Sequence, residues 1–221
     1  MSLTRITSSM VEDLTIATGD IADSAVTSVK LATDAVETSK ILDGNVTTAK
    51  LAANAVTPAK MSQPLTHGTA VATTSGTEKD FTGIPSWVRR ITVSLSGVSL
   101  SGTALLRFRL GNGSGFVTSG YTGAASVISA GSASVQLSAG FDIYTNVPNA
   151  GYAYSGAIVF TCVDSSTGVW AASGTFAAGT VAWTLTVAGH LALTPPLTQV
   201  RLTTSNGTDT FDAGIVNISY E

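Results

Sequence analysis

Acid–base hydrolysis needs two carboxyl groups about 5–9.5 Å apart. The residues from 65 onward offer Glu78, Asp80, Asp142, Asp164, Asp209, Asp212 and Glu221 for that role. Asp209 and Asp212 are close in sequence but lie beside the Asn206-Gly207 turn, where capping and solvation of a hairpin account for them. A Ser-His-Asp arrangement needs a histidine. Only His67 and His190 exist, far apart, with no G-x-S-x-G elbow and no His-x-His or H-E-x-x-H spacing. Three copies of His67 on a symmetry axis would meet a metal's ligand demand, but one chain supplies neither a metal set nor a cofactor motif. The single cysteine, Cys162, rules out an intrachain disulfide and sits in the apolar run 157–163, as a small buried thiol would. The expectation is a protein that is not an enzyme.

Recognition chemistry is better represented. Aromatic rings and amides on loops held by a rigid sheet suit sugar or protein contacts. The stretch from Tyr144 through Asn146, Asn149 and Tyr152 to Tyr154 combines three tyrosines, two asparagines and the turn dipeptide Pro148-Asn149. Tyr121, between Gly120 and Gly123, is the next candidate. The competing role for any of these rings is packing within a core or between subunits, which is the role expected of Trp87, Trp170 and Trp183. Net charge is −3, and a duplex binder needs a basic footprint. Arg89-Arg90 and Arg107-x-Arg109 are expected to be solvated strand faces, so no nucleic-acid partner is expected.

The elements that position these groups divide the chain in two. Charged residues make up 11% of it, against roughly 25% in ordinary soluble domains. All fifteen aromatic residues lie between Phe81 and Tyr220, so the first eighty residues must be held together by something other than a conventional aromatic-rich core. From Ile21 the chain repeats every ten residues: IADSAVTSVK, LATDAVETSK, ILDGNVTTAK, LAANAVTPAK, with Met61 opening another unit. Ile6, Val11 and Ile16 extend the phase upstream more loosely. The fourth position (Ser24, Asp34, Gly44, Asn54) takes residues that tolerate turns and φ > 0. The seventh is usually Thr (Thr27, Thr47, Thr57), suited to an N-cap, and Pro58 stands where a first helical residue would. Each unit is therefore expected to pair a short extended piece with one helical turn ending near Lys30, Lys40, Lys50 or Lys60.

The apolar slots are positions one and six: Ile21, Val26, Leu31, Val36, Ile41, Val46, Leu51, Val56 and Met61. A spacing of five matches neither the strand period of two nor the helix period of 3.6, so one chain cannot gather these side chains into a core. Burying two of them per ten residues also falls short of the backbone entropy lost in ordering the unit. Several copies wound together would enclose the layers, and a homotrimer is the expected closed arrangement.

From about Leu65 the pattern changes to period two. Ile91, Val93 and Leu95 alternate with polar residues, as do Leu106, Phe108 and Leu110, then Val181, Trp183, Leu185 and Val187, and finally Val216, Ile218 and Tyr220. Turn signals at Gly111-Asn112-Gly113, Asp164-Ser165-Ser166 and Asn206-Gly207 separate them. Nine or ten strands predict an antiparallel, jelly-roll-like β-sandwich. The expected architecture is mainly β: an N-terminal segment 1–20, an intertwined trimeric repeat stem 21–64 and a sandwich head 65–221. No apolar signal-peptide core opens the chain and no run reaches the roughly 20 apolar residues of a membrane span. Synthesis in a cytoplasm without membrane insertion is expected.

The decapeptide units resemble the repeats of phage and prophage tail-fibre stems. The segments 81–93, 164–170 and 204–214 resemble a β-sandwich domain found at the C-termini of phage tail proteins. Stem and head together cover nearly the whole chain. The resemblance implies a trimeric component of the virion tail, made in the host cytoplasm and joined to other tail or baseplate proteins through its N-terminus. Its head would meet a glycan or protein receptor on the host surface. The alternative it leaves open is a non-adhesive virion part, a capsid decoration fibre or a tail or baseplate connector.

Overall fold

The computed structural model describes residues 16–42, 44–53, 55–57, 60–129, 131–179 and 181–221. The chain divides into two units, Met1–Thr57 and Pro58–Glu221, a division upstream of the 64/65 boundary read from the sequence. Ile6, Val11, Asn54 and Pro58 lie outside the described residues, as does most of the expected N-terminal segment.

In the first unit each decade folds the same way. The amide of position five donates to the carbonyl of position two: Ala25 to Ala22 at 3.0 Å, Ala35 to Ala32 at 3.1 Å, Asn45 to Leu42 at 3.0 Å and Ala55 to Ala52 at 3.0 Å. Ser24 and Asp34 sit at φ 61° and Gly44 at φ 82°. A positive φ at the third residue of a β-turn is the type II signature, and it explains the choice of residue at position four. A single 3₁₀ turn follows at Ser28–Lys30, Thr38–Lys40 and Thr48–Lys50. The residue before each turn is extended (Thr27, Glu37, Thr47), but none of the three makes a side-chain cap bond. The threonines hold the N-cap position through backbone conformation, not through the hydroxyl. The lysine ending each turn reaches back instead. Lys30 Nζ donates to the Ala25 carbonyl at 2.6 Å, Lys40 to Ala35 at 3.3 Å and Lys50 to Asn45 at 2.7 Å. Among the described residues of this unit, backbone hydrogen bonds run only between near neighbours.

This local folding leaves the apolar slots in water. Ile21, Leu31, Ile41 and Leu51 are 45–46% exposed, and Val26, Val36, Val46 and Val56 are 54–59% exposed. The near-identity of these values from unit to unit shows that the decades repeat one surface.

The second unit is built from β1 (Thr66–His67), β2 (Val71–Ala72), β3 (Glu78–Phe81), β4 (Arg90–Leu100), β5 (Leu106–Asn112), β6 (Gly115–Phe116) and β7 (Thr122–Ile128). It continues with β8 (Ala133–Gln136), β9 (Phe141–Ile143), β10 (Tyr154–Asp164), β11 (Val169–Ala178), β12 (Trp183–Ala192), β13 (Gln199–Thr204) and β14 (Phe211–Tyr220). One antiparallel sheet runs β1-β14-β4-β10-β11-β12-β7-β8, with β2 also on β14. The other runs β3-β13-β5-β6, with β9 also on β5. Among the described residues the division is unequal, nine strands against five, and the meander β10-β11-β12 stays within one sheet. The sequence pattern resolves fewer strands because β1, β2 and β6 have two residues each, too short for an alternation to register.

Period-two patterning supplies the core. Ile91, Val93, Leu95, Leu106, Phe108 and Leu110 are all buried. Aromatic rings join the sheets: Phe108 of the smaller sheet lies 6.2 Å from Phe160 and 6.1 Å from Phe176 of the larger, and Phe141 lies 5.7 Å from Phe160. Trp170 is buried, while Trp87 and Trp183 pack half-buried against the same core. The registers also define two ends. The N-terminal strand arrives where Thr66 pairs with Tyr220. At the opposite end, Val98 pairs with Tyr154 and Leu100 with Phe211, so the connections 101–105, 129–132, 144–153, 179–182 and 205–210 gather there.

Candidate functional site

The connection 144–153 carries most of the expected contact residues, and the structure sorts them into two groups. Asn146, Val147, Asn149 and Ala150 are exposed, Val147 at 58%. Tyr152 and Tyr154 are buried, and Tyr144 is half-buried against the core. Tyr121 is buried as well. The expectation that Tyr121, Tyr152 and Tyr154 face a ligand is therefore corrected: their rings are structural. The Tyr152 ring meets Trp183 edge-on at 5.5 Å and Tyr154 at 6.4 Å. Tyr121 stands edge-on to Phe141 at 5.0 Å, and its hydroxyl accepts from the Leu110 amide and donates to the Val117 carbonyl, both at 3.0 Å. The signal was present in the strand parity. Tyr152 and Tyr154 share the phase of Ile158 and Phe160, and Tyr121 shares that of Ala125 and Val127.

What remains for contact is the amide and aliphatic crest above those rings. Asn149 shapes it: its Oδ1 accepts from the Gly151 amide at 2.7 Å and its carbonyl from the Tyr152 amide at 3.2 Å. The neighbouring connections are tied together. Asp209 accepts from the Ala104 amide at 2.7 Å, and that bond holds its carboxyl below the ordinary range. The Asn206 side chain accepts from the amides of Thr208 and Asp209, both at 3.0 Å, and the Ser101 amide donates to the Thr210 carbonyl at 2.8 Å.

Burial pushes the phenols of Tyr121 and Tyr154 from 10.0 to about 12. The raised value means the neutral phenols stabilise the fold fully below pH 10, and that contribution is lost as pH rises towards 12. Absorbance titration of the folded protein is expected to show these two groups ionising near pH 12, with thermal stability falling across the same window. Ionisation of both at pH 10 without unfolding would contradict their burial.

Every carboxylate considered for acid–base work has a structural partner. Arg107 grips Asp142 through two bonds at 2.6 and 3.0 Å. Arg201 pairs with Asp80 at 2.7 Å and Glu78 at 2.5 Å, and Arg90 with Glu221 at 2.9 Å. Asp212 accepts from the Ser99 hydroxyl. Asp164 caps the β10–β11 turn, where the hydroxyls of Ser166 and Thr167 and the Ser166 amide lower its pKa to about 2. Arg89 donates to the carbonyls of Ser86 and Val88, both at 2.9 Å; Arg89 and Arg90 are exposed, while Arg107 and Arg109 are half-buried. His67 Nε2 lies 3.0 Å from the Asn217 amide nitrogen, and His190 is exposed on β12. Among the described residues no three His, Cys, Asp or Glu side chains gather as a metal site. Cys162 is half-buried. No described helix is long and apolar enough to cross a membrane.

These features define a mainly β protein: an antiparallel two-sheet unit preceded by a decapeptide-repeat unit. No family model, curated protein or solved structure matches the chain.

Proposed function

We propose that this chain is a phage tail fibre: an intertwined homotrimeric stem formed by the decapeptide units, carrying a jelly-roll-like sandwich head that attaches the particle to its host. The observation that carries the reading is the row of aliphatic side chains, from Ile21 to Val56, left 45–59% exposed in one copy at constant spacing. A stripe this long and regular is a cost in water unless sister chains cover it. On this reading the N-terminus joins other tail or baseplate proteins, and the crest at Asn146, Val147 and Asn149 meets a glycan or protein on the cell surface. The full pairing of the head's carboxylates supports a non-enzymatic role.

A second reading, a non-adhesive connector or decoration fibre, is favoured by the burial of Tyr121, Tyr152 and Tyr154, which removes three rings from the contact surface. Titrating labelled full-length protein onto bacterial cells separates the two. The adhesive reading expects saturable attachment that Asn146→Ala combined with Val147→Asp abolishes while the thermal midpoint stays put. Absence of attachment at high concentration to every strain tried would favour the connector.

A further inference from the structure

The two sheets of the second unit differ in what their outer faces carry. On the smaller sheet Arg107, Arg109 and Arg201 share the outer face with the carboxylates of Asp142, Asp80 and Glu78. In the larger sheet β4, β7, β10, β11, β12 and β14 carry charge only at or beside their ends, at Arg90, Asp164 and Asp212. Val93, Val127, Ile158, Phe176 and Leu185 are buried, so their sequence neighbours make up the outer face. One row across it sets Asn217, Ser94, Ala157, Thr175, Thr186 and Ser126 side by side in register. The next row, through Val159 and Ser173, is equally neutral. Hydroxyls bond within the face: Ser126 and Thr186 bond each other at 2.8 Å, and Ser155 accepts from the Gly97 amide at 2.9 Å.

We infer that this neutral sheet face is covered by the same unit of sister chains, so that the heads themselves pack together as a trimer. The inference rests on the trimeric stem proposed above. Water-facing surfaces ordinarily carry charge on about a quarter to a third of their positions, whereas depletion of charge marks the core of a protein interface. The six strands span about 29 Å by 24 Å, or about 700 Å², close to the roughly 800 Å² that each partner buries in a stable interface. Around a symmetry axis a charge is brought towards its own copies, so a face for sister chains has to be neutral. A face for a foreign protein ordinarily offers tryptophan, tyrosine or arginine anchors. Here the tryptophans and tyrosines of the six strands pack on the core side, and Arg90 stands at the rim, paired with Glu221. Small side chains grip weakly, and the stem compensates by holding the three heads at about millimolar effective concentration.

Maleimide labelling of the full-length protein tests it, in a Cys162→Ser background with one cysteine introduced and the mass of each sample measured by sedimentation. Ser173 and Thr208 are both exposed in one chain. Ser173→Cys, in the middle of the face, is nevertheless expected to react about tenfold more slowly than Thr208→Cys in the 205–210 connection, because thiol reactivity follows access. Adding Thr175→Arg is expected to raise Ser173→Cys to the fast rate while the mass stays that of a trimer, since the guanidinium groups part the heads and the stem still holds the chains. A trimer in which Ser173→Cys reacts as fast as Thr208→Cys would overturn the covered face, leave the stem standing and open the face to a partner from outside the molecule. Slow labelling that Thr175→Arg leaves unchanged would also overturn it. Single copies would remove the stem reading and this inference together.

Discussion

Substituting Val46 with aspartate is expected to break the full-length protein into single copies. Val46 is 54% exposed in one chain, and on the proposed reading that exposed surface is covered by the same residue of two sister chains. Aspartate there places three carboxylates in one layer with no cation assigned to them. The nearest repeat lysine, Lys50, donates to the Asn45 carbonyl and is committed within its own chain. An uncompensated buried charge costs about 3–5 kcal/mol, and symmetry applies that cost three times in one layer. Val29→Asp is the matched control, because Val29 is 90% exposed and falls outside the apolar slots. Size-exclusion chromatography with light scattering is expected to show the trimer intact in Val29→Asp and lost in Val46→Asp. A trimer retained in both would remove the assigned role of position six.

The second large effect is expected in the head. Phe160 is fully buried on β10 and meets Phe108 and Phe141 across the gap between the sheets. Removing a buried phenylalanine ring costs about 3–5 kcal/mol, through lost transfer energy and the cavity left behind. Rings from both sheets surround this site on strands fixed by ladder hydrogen bonds, so little collapse is available to fill the space. Urea unfolding followed by tryptophan fluorescence is expected to show Phe160→Ala unfolding at a much lower midpoint. Asn146→Ala on the exposed crest should stay within about 0.5 kcal/mol of wild type. Equal midpoints for the two variants would mean that the sheets are not joined through this cluster.

Much of this was readable from residue spacing, and the exceptions have definite physical causes. The decade disclosed its own geometry: Ser, Asp and Gly at position four mark the positive φ found at Ser24, Asp34 and Gly44, because few side chains tolerate that backbone. The turn ending at each lysine was equally visible. The lysine's bond back to the position-five carbonyl was not, since it depends on how the β-turn and the 3₁₀ turn are stacked in space. In the head, alternation marked Ile91, Val93 and Leu95 as inward without showing which strands are neighbours. Long-range partnerships such as Arg107 with Asp142 and Arg201 with Asp80 follow from register, which a single sequence does not encode locally. The tyrosines differ for another reason: a tyrosine suits a contact surface and a core alike, so residue type does not place Tyr152 and Tyr154, whereas the inward parity of Ile158 and Phe160, which they continue into the connection, does.

The account rests on the exposed aliphatic rows of residues 21–56, and the mass of the wild-type protein in solution tests it most directly. Sedimentation equilibrium of the full-length chain, across a concentration series, is predicted to give three times the chain mass of 22.4 kDa, with slow hydrogen exchange at the amides of Ala25, Ala35 and Ala55. A stable 22.4 kDa species with those amides equally protected would contradict it, because a lone chain would then be keeping its repeats ordered without help.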